Sequence, residues 1–194
     1  MLVKDIAAQA AFLLGKQELS DYLKGQADGQ TPDYTEAQEK ELIKEANTLL
    51  RCYNIVENEI ALDYLPLTAE ETVTSSTGAL PYSSFLHTPV TILSVTDEYG
   101  NKLPFTIFPE YVKTHKGTAV ITYAYSPRTK SMEDGSEYGA RVPERLLSYG
   151  VACEYCLVSG LYDEALLWDK KYKDALLCAH SASRPHIIRS RRWV

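Results

Sequence analysis

A chain of 194 residues with 45% hydrophobic content can bury roughly 70% of its unfolded surface, which excludes global disorder and favours one domain, or one domain with an insertion. A formal net charge of −6 argues against a body that wraps nucleic acid, because phosphate neutralisation needs a basic face. The charge is unevenly placed: four of the 20 Lys and Arg lie in the last eleven residues, leaving 16 bases against 26 acids, net −10, before them. An acidic body with a basic tail is the layout of a protein that docks onto a partner.

The opening AAQAAFLLG has the apolar content of a signal segment, but Asp5 and Gln9 interrupt the region and no small-residue cleavage site follows. Ile6, Ala10, Leu13 and Leu14 fall on one helical face, and the segment is expected to break at Gly15 and resume through Leu19, Tyr22 and Leu23. GQADGQTPD reads as a loop. Thr35 and Gln38 form a capping box, behind which Leu42, Ala46, Leu49, Tyr53, Val56, Ile60 and Tyr64 mark one long helix ending before Pro66.

From Thr68 the pattern alternates. TVTSSTG, LPYSSFL, VTILSVTD, FTIFPEYVK and GTAVITYAY read as about five antiparallel strands, with EYGNK and THKG as hairpin turns. Ala119, Ile121, Tyr123 and Tyr125 share one face of the last strand. SPRTKSMEDGSEYGAR, polar and Gly-containing, is expected to be a mobile loop with no core to bury.

Pro143 suits a first helical position, and Leu146, Gly150, Cys153 and Leu157 form the stripe of a helix that Gly160 ends. Asp163 and Glu164 then favour the positive end of a new helix, whose buried face is Ala165, Trp168, Tyr172, Ala175 and Ala179. The expected fold class is α+β: a helical bundle with an inserted small antiparallel β domain and an extended C-terminal tail. The parts are N-terminal helices over 1–65, a β insert over 66–127, a loop over 128–142, a helical hairpin over 143–182 and a tail over 183–194.

Little in the chain points to chemistry. Cys52, Cys153, Cys156 and Cys178 are too sparse for a disulfide framework and point to a reducing cytoplasm. Cys153 and Cys156, with Cys178 and His180, spell a possible zinc set, but the flanks are apolar and helical, which fits small buried core residues better. His87, His115, His180 and His186 include no base placed beside a thiol by any motif. Phosphate-cradling glycine loops are absent, no run of about 18 apolar residues suggests a membrane span, and no cofactor is expected.

The tail differs. Ile187, Ile188 and Trp193 alternate with Arg184, His186, Arg189, Arg191 and Arg192. Large apolar groups make good anchors in a partner's groove, and arginine supplies bidentate pairing to acids or phosphates. The expected role is a peptide that orders on binding. A basic tail that holds DNA, making the chain a nucleic-acid-associated module, is the alternative.

The element order and the runs LLRCYNIVENEIALDYLPL, FTIFPEYVKTHKGTAVITYAYSP and LLSYGVACEYCLVSGLYDEALLWDKKYKDAL resemble the head-tail connector (adaptor, or tail tubular) proteins of tailed bacteriophages. The resemblance covers most of the chain. It implies a non-enzymatic virion protein, made in the host cytoplasm, that assembles as a dodecameric ring between the portal protein and a tail or tail-tube protein. DNA would pass through the lumen without sequence recognition, and the docking segment would be Arg184 through Val194.

Overall fold

The computed structural model describes residues 1–28, 34–139 and 142–182. Helices and two small antiparallel sheets give an α+β fold, in two compact units, one made of 1–57 and 130–194 and the other of 58–129. The β unit thus starts and ends slightly outside the expected 66–127.

In the first unit, α1 (Val3–Leu13) and α2 (Gln17–Asp28) are separated at Gly15, whose φ of +73° is the left-handed conformation that reverses the chain there. Ala7, Ala8, Ala10 and Ala11 are fully buried, so α1 packs by close backbone approach. The capping box opens α3 (Glu36–Glu59): Gln38 N donates to Thr35 Oγ1 at 3.4 Å and Thr35 N donates to Gln38 Oε1 at 3.1 Å. The expected stripe from Leu42 through Val56 is its buried face.

α4 (Glu144–Val158) and α5 (Tyr162–Ala182) form the expected hairpin. Pro143, with ψ of 141°, is still extended and stands just before α4. Gly150 sets the distance between helices: a Cβ there would lie 2.6 Å from Val56 Cγ1 on α3 and 2.9 Å from Tyr172 Cε2 on α5.

The segment expected to have no core to bury does bury residues over its described part. Lys130, Tyr138 and, beyond the undescribed pair, Val142 are buried. Lys130 N donates to Asn54 Oδ1 at 2.6 Å, while Asn54 Nδ2 donates back to Lys130 O at 3.1 Å. Glu57, also buried, takes three donors on Oε1: Tyr53 OH at 2.8 Å, Ser136 Oγ at 3.0 Å and Glu137 N at 2.9 Å. The same segment accepts Val3 N on Asp134 O at 3.0 Å and Lys4 N on Met132 O at 3.1 Å. Its polar residues serve the ends of α1 and α3, which carry backbone donors and side chains that need partners.

The second unit begins with a π-helical turn, Ile60–Tyr64, then β1 (Leu67–Ser75), β2 (Ala79–Pro81), β3 (Pro89–Thr96), β4 (Thr106–Ile107), β5 (Tyr111–Lys113) and β6 (Gly117–Tyr125). There are six strands rather than five, in sheets ordered β1-β6-β3 and β2-β5-β4. FTIFPEYVK is two strands, because Pro109 cannot donate to a ladder and the chain turns there, Phe108 N bonding to Tyr111 O at 2.9 Å. THKG joins strands of different sheets, so it is not a hairpin turn; EYGNK is one, held by Asp97 Oδ1 accepting Tyr99 N at 2.9 Å and Asn101 N at 2.8 Å. At Gly78 a Cβ would stand 2.5 Å from Thr114 O, so the link from β1 to β2 requires glycine.

Leu80 and Val112 of one sheet share a core with Ile92, Val95, Ala119, Ile121 and Tyr123 of the other, so the face expected of the last strand is correct. Tyr123 OH donates to the Glu71 carboxylate, which also accepts Leu86 N at 3.0 Å.

Replacing Gly150 by Ala should destabilise the protein by about 1–3 kcal/mol, read from urea midpoints, because overpacking against a branched Val56 outweighs the helix preference for Ala of about 1 kcal/mol. Burial, and then the Glu71 contact, pushes the Tyr123 phenol up to about 12; burial likewise raises Tyr53, with the Glu57 charge adding to it. The folded pKa exceeds the unfolded value near 10, so the stability these phenols contribute is present below about pH 10 and is lost as pH rises above it. Tyrosinate absorbance should show these two titrating above exposed tyrosines, and Tyr123→Phe should weaken the alkaline loss of stability; an unchanged alkaline curve contradicts the burial.

Candidate protein-interaction surface

All eight residues expected to bind a partner, Arg184, His186, Ile187, Ile188, Arg189, Arg191, Arg192 and Trp193, lie outside the described residues. The described chain ends with α5, immediately before them. The α4–α5 hairpin is therefore the nearest surface whose geometry can be stated.

Gly160, at φ of +75°, closes α4, with Leu161 N reaching back to Cys156 O at 2.8 Å, and Asp163 and Glu164 occupy the first turn of α5. α5 buries Ala165, Tyr172 and Leu176, while Trp168, Ala175 and Ala179 are only half-buried. Four large apolar residues face solvent: Tyr162 is 67% exposed, Leu166 69%, Leu167 67% and Leu177 65%. Leu157, expected in the buried stripe of α4, is also exposed, and with Tyr162 and Leu166 it lines a cleft of about 250 Å³ floored by Cys153 and Ala165. Large apolar side chains exposed on one helical hairpin make it a candidate interaction surface.

The opposite side of the hairpin carries a groove of about 490 Å³ between α4 and α5, with Leu146, Tyr149, Ala175 and Cys178 on its walls and Arg145, Lys171 and Asp174 around it. Lys171 Nζ stands 4.2 Å from the Trp168 ring centroid, and both it and the Arg145 guanidinium lie 5.9 Å from the Tyr149 ring. Neither cation has a carboxylate partner among the described residues. Cations held on ring faces without an ion-pair partner keep their charge available for pairing with a carboxylate.

The groups considered for chemistry are placed otherwise. Cys52, Cys153 and Cys156 are buried, and burial, then the Glu154 charge, pushes the Cys52 thiol up to about 11, away from the nucleophilic form. The His87 ring stacks on Tyr125 at 4.2 Å between centroids. Among the described residues no three His, Cys, Asp or Glu side chains converge as metal ligands would. A polar cleft of about 530 Å³ between the start of α2 and α3 is crossed by the Lys16–Glu45 ion pair, which already satisfies its own charges. No protein-family model matches the chain, and no curated protein matches it.

The exposed face of the hairpin is hidden in the sequence because its leucines extend the helical stripe. The available signal was width: ALLWDKKYKDALLC spreads apolar residues round more of the helix than one buried face needs.

Of the four cysteines, Cys178 alone is exposed, so native protein should consume one equivalent of a thiol reagent rapidly and the remaining three only on unfolding. Cys178→Ser should abolish the fast phase; a second fast thiol would contradict the burial of the others.

Proposed function

We propose that the protein is a structural, non-enzymatic subunit of a tailed-phage head-tail connector: a ring between portal and tail that gives DNA a passage and docks on the portal through residues 184–194. The observation that carries this reading is the surface of α5, which leaves large apolar side chains uncovered on a well-packed helical unit and so suits a subunit designed to be covered by others. Three further features support it: the order of helices, β unit, hairpin and basic tail; the net −10 charge ahead of that tail; and the buried, proton-retaining state of the Cys52 thiol. An acidic lumen would discourage DNA from adhering during passage.

In this reading the tail supplies the anchor and the helical unit supplies the ring wall. The protein would reside in the virion neck, contacting portal on one side and a tail or tail-tube protein on the other. The same cations could instead hold duplex DNA, the second reading, favoured by the four arginines alone.

A chain cut after Ser183 should lose binding to portal particles, and Trp193→Ala alone should weaken it by about 30-fold, near 2 kcal/mol. Equal binding by cut and intact chains rejects the tail as the docking element. Duplex binding by the intact chain that collapses as salt rises, and disappears on truncation, would favour the DNA reading.

A further inference from the structure

Helix α5 has two exposed flanks. Leu166, Asp169 and Lys173 occupy one; Leu167, Lys171 and Asp174 occupy the other. The step from Leu166 to Lys171, and likewise from Asp169 to Asp174, is five residues, which turns the side chain roughly 140° round the helix. The first flank joins the apolar cleft with Leu157 and Tyr162, and the second borders the groove with Arg145 and Tyr149.

The two flanks are complementary along their length. At corresponding heights, exposed Leu166 on one matches exposed Leu167 on the other, the Asp169 carboxylate matches the Lys171 ammonium, and Lys173 matches Asp174. The charged partners differ in position by one or two residues, about 1.5–3 Å of helix rise. Within one chain Asp169 already attracts Lys173 at 2.7 Å, a half-exposed pair worth little by itself and easily shared, whereas Lys171 has no acid among the described residues.

We propose that copies of this chain pack side by side through α5, the flank bearing Leu166, Asp169 and Lys173 lying against the flank bearing Leu167, Lys171 and Asp174 of the neighbouring copy. The direction follows from charge. Parallel and in register, every charged position meets its opposite; antiparallel over the same turns, Asp169 meets Asp174 and Lys173 meets Lys171, which repels. Parallel neighbours using two different flanks make a head-to-tail contact rather than a two-fold one. Because the flanks diverge by less than 180°, successive copies curve toward closure, as a ring requires. The proposal deepens the connector reading and rests on it only for that closure.

The contact is tested by cross-linking full-length chains in a Cys178→Ser background, one bearing Leu166→Cys and the other, enlarged by a size tag, bearing Leu167→Cys. At high protein concentration a short bismaleimide should give the mixed dimer at least tenfold over either same-chain dimer. Lys171→Glu with Asp174→Lys in the Leu167→Cys chain should abolish it. Adding Asp169→Lys with Lys173→Glu to the other chain should restore it, which no general effect on folding would do.

Absence of the mixed dimer, equal yields of all dimers, or indifference to charge reversal overturns the proposal. So does a mixed dimer that forms only after both chains are cut at Ser183, since the tail, not a second copy, would then cover the flank. Portal binding by the Leu166→Cys and Leu167→Cys chains, without charge reversal, separates the two readings: no mixed dimer with docking retained sinks the flank pairing alone, and a mixed dimer without docking sinks the connector.

Discussion

The segment from Lys130 to Tyr138 is the constraint on which the helical unit depends. The chain leaves that unit at the end of α3, spends 58–129 in the β unit, and must return to a fixed place. Asn54 defines the place by bonding Lys130 through both its donor and its acceptor, and Glu57 holds the chain a few residues further on by accepting Ser136 and Glu137. The same few residues supply carbonyls to the first donors of α1. A buried carboxylate stripped of its partners is a penalty of several kcal/mol, so the segment cannot drift without destabilising two helices at once. Glu57 Oε2, buried without a hydrogen-bond partner among the described residues, leaves little energetic slack at this point.

That dependence explains what could and could not be read from the chain. Leu42, Ala46, Leu49, Tyr53 and Val56 declared α3 through spacing alone, and Ala119, Ile121 and Tyr123 declared the inner face of the last strand, because one-sided burial imprints its period on the sequence. The segment after Thr129 has no such imprint. Its Ser, Asp, Glu and Gly residues bury polar atoms against helix ends, and the composition that does this is the composition of a solvated loop. Gly150 was legible only as one member of a stripe; that a side chain there would collide with Val56 of α3 and Tyr172 of α5 depends on residues far away in sequence.

The hairpin illustrates a second limit. Leu157 falls on the same stripe of α4 as Leu146, yet Leu157 is exposed and Leu146 buried. A helix that will be covered by another chain needs the apolar residues that a helix covered by its own chain needs, so periodicity reports eventual burial without naming the source of cover. Only three-dimensional packing separates the two cases, and it leaves the outer leucines of α5 exposed.

Charge shapes how acidic copies could be brought together. Bodies of net −10 repel at distance, but at physiological salt that repulsion is screened within about 8 Å, while charges in contact are screened far less. Assembly then favours local alternation of sign over bulk complementarity. The sequence WDKKYKD on α5 provides such alternation, with Asp169 and Lys173 on one flank and Lys171 and Asp174 on the other. Leucines and ring-bearing residues around them supply the apolar area that a screened, short-range contact needs.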